Sequence, residues 1–114
     1  MNRIALTLMF SVTLLFALYA GGSSSEGPDG AEVFKRLRCG GCHAPEGKSM
    51  GPTLKEMAGL YGEDAERLVL FFKGEVESMK TGATTAMMKV QIKKTKALEE
   101  AEQASLIQYI MSFK

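Results

Sequence analysis

The sequence predicts an all-α fold, and three observations carry that expectation. Helix signals recur four times, strand signals are nearly absent, and no repeat or heptad series runs through the chain. Asp29 and Glu32 make a capping-box-like start, and Ala31, Val33, Phe34 and Leu37 lay an apolar stripe along a first helix running towards Cys39. Thr53 and Glu56 repeat the device after Pro52, for a short helix through Leu60. Asp64 caps a third helix containing Leu68, Leu70, Phe71 and Phe72, and Gly74 ends it in a left-handed conformation. A fourth helix runs from about Leu98 to Phe113, where Leu106, Tyr109, Ile110 and Phe113 follow the i, i+3, i+4, i+7 spacing. Between the third and fourth helices, Glu75 to Lys96 shows no convincing period. A structureless stretch of that length inside a compact domain points to function.

The chain has 114 residues and a formal charge of +1, with 14 Lys and Arg against 13 Asp and Glu. That bounds it to one small domain and excludes the strongly basic surface of a general nucleic-acid binder. Two cysteines cannot build the multi-bridge framework of a small secreted scaffold, so their spacing must carry their meaning. Residues 1–20 place Arg3 ahead of an uncharged, mostly apolar run from Ile4 to Ala20. This reads as a signal peptide or, if retained, an N-terminal anchor, and in both cases the rest of the chain is exported to the periplasmic side of the cytoplasmic membrane. Residues 21–29 are rich in Gly and Ser and have the composition of a flexible linker. The folded domain is expected over 30–114. A neutral domain of that size does not build a comfortable core unaided, so another group is expected to help fill it.

Cys39-Gly40-Gly41-Cys42-His43 indicates which group. Two thiols three residues apart, with an imidazole directly after the second, form the pattern of covalent haem attachment. A helical turn lets both sulfurs reach one porphyrin edge while the ring of His43 lies under the iron, and the intervening glycines remove bulk. Two other readings compete. A redox disulfide embeds Cys-x-x-Cys among alternating strands and helices, and strands are missing from the pattern. A structural zinc site takes four protein ligands, whereas the chain has one His and two Cys.

The iron's other face then takes a ligand or stays open. A thioether opposite His stabilises reduced iron and raises the potential. Met50 lies close to His43 in sequence, Met57 and Met111 fall within helix patterns, and Met79, Met87 and Met88 occupy the long loop. The sulfur ligand is expected from that loop.

With these residues in view, the chain resembles a small single-haem class I c-type cytochrome of the short bacterial electron-carrier type, over about Gly30 to Lys114. The resemblance implies about four helices wrapped around one covalent haem c, with a long loop carrying the distal ligand. It assigns Cys39 and Cys42 to the thioether links and His43 to the proximal ligand. Gly51-Pro52-x-Leu54 resembles the family's Gly-Pro-x-Leu segment, in which the Pro carbonyl accepts a hydrogen bond from the proximal His, so Pro52 would orient His43. Gly30-x-x-x-Phe34 and Leu106-x-x-Tyr109 match the two helices that cross closely in that family. Ala86-Met87-Met88-Lys89-Val90-Gln91 resembles the distal Met-x-Pro-Gln loop, which implies Met88 as the iron ligand, with Met87 as its neighbouring alternative. Val90 stands where many relatives have proline. The Trp that some relatives direct at a haem propionate is missing, and Tyr61 or Arg67 would substitute for it.

Filled axial positions leave no iron site for a substrate, and the chain offers no second His for distal chemistry. The expected function is one-electron transfer between redox complexes, in the manner of a respiratory-chain shuttle and not of an enzyme. A haem peroxidase or gas-binding sensor with a labile distal Met is the alternative. Lys89, Lys93, Lys94 and Lys96 follow the proposed ligand and would dock an acidic redox partner onto a monomer.

Overall fold

The computed structural model describes residues 27–80 and 84–114. The expected signal or anchor and most of the linker, residues 1–26, lie outside the described residues. Among the described residues there are five α-helices and no strand: α1 (Gly30–Arg36), α2 (Leu54–Leu60), α3 (Ala65–Phe72), α4 (Ala86–Lys96) and α5 (Glu100–Met111). A 3-10 turn covers Cys39–Gly41 between α1 and α2. None of these helices is long and apolar enough to cross a membrane.

Local capping explains most helix starts. The Asp29 side chain accepts from the Ala31 amide at 3.0 Å, a simple cap on α1 in place of the expected box with Glu32. At α2 the box is complete: the Glu56 amide donates to Thr53 Oγ1 at 3.0 Å, and the Thr53 amide donates to Glu56 Oε2 at 2.8 Å. Asp64 caps α3 through the Arg67 amide, and Gly74 follows that helix at φ +74°, where a side chain would be strained.

The core runs through all five helices. Leu54, Leu68 and Leu106 are completely buried, each worth about 2 kcal/mol of transfer free energy, and Val33, Tyr61, Phe71, Phe72, Ile107 and Ile110 pack around them. Helix α1 lies across α5, as the matched patterns imply. The space is so tight that a Cβ on Gly30 would run into the Ser105 carbonyl and come within 2.8 Å of Tyr109 Cβ. The Phe34 and Tyr109 rings meet at 5.3 Å, and Arg36 donates to Glu102 at 2.7 Å beside them.

Two expectations are corrected. The segment expected as loop from Glu75 to Lys96 is helical from Ala86 to Lys96, which makes five helices among the described residues where about four were expected. This helix packs on α3 through a stripe of Met88, Ile92 and Thr95 at i, i+4 and i+7. The buried hydroxyl of Thr95 donates to Phe72 O at 2.8 Å, and Gln103 of α5 donates to Thr95 O at 3.2 Å. A helix whose inward face includes a threonine, set among four lysines, gives little periodic signal. The last helix also starts two residues later than Leu98, at Glu100, with Glu99 as its cap residue.

Candidate haem site

Arg38, immediately before the two cysteines, adopts a left-handed conformation at φ 58°, ψ 32°. This reverses the chain after α1 and starts the 3-10 turn, closed by the Cys42 and His43 amides donating to Cys39 O at 3.2 and 3.0 Å. Both thiols are thereby brought onto one short turn. Burial raises the pKa of the Cys39 thiol, while a backbone hydrogen bond and the charge of Lys94 act in the opposite direction.

His43 opens a second turn that leads back to α2. Gly51 donates to Cys42 O at 2.8 Å, Ser49 Oγ bridges Cys42 O and the Ala44 amide at 2.6 and 2.9 Å, and the Leu54 amide donates to Ala44 O at 2.9 Å. In this frame His43 Nδ1 stands 2.7 Å from Pro52 O. A carbonyl oxygen only accepts, so the bond requires the proton on Nδ1 and leaves the lone pair of Nε2 free for a metal. Gly51 leaves room for the same ring, since a Cβ there would stand 2.5 Å from His43 Cε1.

These residues line a cavity of about 540 Å³, walled mostly by apolar side chains including Phe34, Met57, Leu60, Phe71, Phe72 and Ile110. Cys39, Cys42, His43, Pro52 and Met88 all border it, so the structure gathers every residue expected at the site. Met87 borders it too, but is 65% exposed whereas Met88 is half-buried and packs against the core. Met50 is at the mouth at 79% exposure. Met79 is not on the wall; its amide donates to Tyr61 Oη at 3.1 Å. Of the two candidates for a propionate contact, buried Tyr61 borders the cavity and Arg67 does not.

The four lysines expected to dock a partner stand on α4, and none lines the cavity. Lys80 does line it. It reaches the wall by donating to Glu56 Oε1 at 2.9 Å, and the Thr53 amide and Lys80 together hold the Glu56 carboxyl below the usual range. Sequence reasoning did not single out Lys80, Arg38 or Thr95. The left-handed turn at Arg38 carries no glycine to announce it, and Lys80 arrives through a partner 24 residues away.

An apolar cavity bordered by two thiols on one turn, a histidine with a free Nε2 lone pair and a glycine that a side chain would fill fits a porphyrin attached through Cys39 and Cys42. No curated protein matches the chain. The sequence model of the family described as Cytochrome c matches residues 28–114. The match spans all five helices and the whole cavity wall, and this chain belongs to the cytochrome c family.

Proposed function

We propose that the chain is a carrier of single electrons, with His43 and Met88 as the iron's axial donors, working between redox partners outside the cytoplasmic membrane. Membership of the family means covalently bound haem c and a role in electron transfer. When bound, the haem supplies an iron that cycles between ferrous and ferric states. The protein's part is to hold, orient and insulate that centre. The observation that carries the reading is the 2.7 Å bond from His43 Nδ1 to Pro52 O, which fixes ring angle and tautomer, in a cavity that Met88 also borders. His43 and Met88 would hold the iron, and the mostly apolar side chains around them would surround the haem that supplies the redox chemistry.

The test is Met88→Ala in the matured protein. The sulfur-to-iron absorption band is expected to vanish. The potential should fall on the order of 0.1 V, within the roughly 0.8 V that axial ligands span, because a soft thioether favours the reduced state. The parent protein should not bind carbon monoxide when reduced. A band unchanged in Met88→Ala would transfer the role to another donor, and ready binding by the parent would favour a sensor or peroxidase.

The partner surface we propose is the exposed side of α4. Lys89, Lys93 and Lys96 stand at i, i+4 and i+7 on one face, and Lys94 is exposed beside them. Exposed Met87 and Val90 add an apolar margin at the cavity mouth. An acidic partner suits this surface. Replacing the four lysines by glutamine should slow reduction by that partner about tenfold or more at low salt and flatten the salt dependence. Unchanged kinetics would move docking elsewhere.

A further inference from the structure

Met88 stands on a helix, and one hydroxyl sets where that helix begins. Thr85 is extended at φ −64°, ψ 158°, and its Oγ1 accepts from the Met88 amide at 3.2 Å. Its carbonyl accepts from the Lys89 amide at 2.9 Å, so Thr85 holds the first turn of α4 at two points around Met88. The approach is secured as well: the Thr84 amide donates to Glu77 Oε2 at 2.6 Å.

A first turn that frays releases the Met88 amide to water and lets its side chain leave the core stripe it shares with Ile92. Met87, one residue earlier and exposed, points to what a change of register would do: the sulfur facing the cavity would differ. Val90 gives α4 no ring constraint on the backbone at this point, so the register depends on hydrogen bonding.

We infer that Thr85 is a positioning residue for the sulfur ligand, its cap fixing the helix register that directs Met88 into the cavity. The inference rests on the reading of Met88 as the distal donor.

The test compares Thr85→Ala and Thr85→Ser in the matured protein, with Met88→Ala alongside. Loss of an N-cap bond of this kind should raise hydrogen exchange at the Met88 amide about fivefold. Capture of the iron by added imidazole, which reads the fraction with sulfur detached, should rise by a similar factor. Thr85→Ser, which keeps the hydroxyl, should return both to the parent values. Faster amide exchange with imidazole capture unchanged would overturn the inference, as would a Thr85→Ser variant no better than Thr85→Ala. A sulfur band surviving in Met88→Ala would remove the underlying reading itself. A band lost there, with imidazole capture in Thr85→Ala equal to the parent's, would overturn the positioning role alone.

Discussion

Gly30→Ala is expected to destabilise the matured protein by about 3 kcal/mol, at the upper end of what a single added methyl does in a packed core. In an ordinary helix the same change stabilises by roughly 0.5–1 kcal/mol. Here the sign reverses, because the new Cβ would meet the Ser105 carbonyl and stand 2.8 Å from Tyr109 Cβ. A backbone carbonyl inside α5 cannot rotate away, so α1 would have to lift off, loosening the Phe34–Tyr109 ring contact and the Arg36–Glu102 pair. Denaturant unfolding of the holoprotein measures this. A midpoint equal to or above the parent's would mean that the two helices do not cross at Gly30.

Gly51→Ala should be felt at the iron more than in global stability. Its Cβ would lie 2.5 Å from His43 Cε1 and 2.9 Å from Nδ1, while the Gly51 amide is tied to Cys42 O at 2.8 Å. Either the ring turns or the segment through Pro52 shifts, and each movement stretches the 2.7 Å bond that holds the imidazole. A neutral hydrogen bond of this kind is worth about 1 kcal/mol, and the steric conflict adds about 1–3 kcal/mol. The expected results are a lower yield of matured protein, displaced His43 ring resonances and a shifted potential. Gly59→Ala is the control, since a Cβ there meets nothing within 4 Å and the residue is not on the cavity wall. Equal potentials in the parent and Gly51→Ala would show that the contact does not constrain the ligand.

What could be read from the sequence was what is local. The capping box at Thr53 and Glu56 and the cap at Asp64 each act across three residues, so their spacing is visible in the chain itself. The cysteine and histidine cluster is contiguous, and Pro52 lies nine residues from the ring it orients. Helix α4 was missed because what holds it is distant: the Thr95 hydroxyl finds Phe72 O 23 residues back, and Gln103 reaches Thr95 from another helix. The loop before it is likewise tied down by Tyr61 and Glu56, from 18 and 24 residues away. Thr85, three residues before Met88, was a visible signal for the start of α4, but a polar threonine pair beside two methionines reads equally well as loop.

Helix α2 is tied to two segments that border the cavity. Thr53 at its start follows the Pro52 carbonyl that accepts from the imidazole, while Tyr61 and Glu56 at its end and middle hold Met79 and Lys80. One seven-residue helix therefore anchors both the histidine turn and the segment at Met79 and Lys80. Variants that retune the redox poise should accordingly be found among Leu54, Met57 and Ala58 on its buried side as well as around the porphyrin, and a screen restricted to the cavity wall would overlook them.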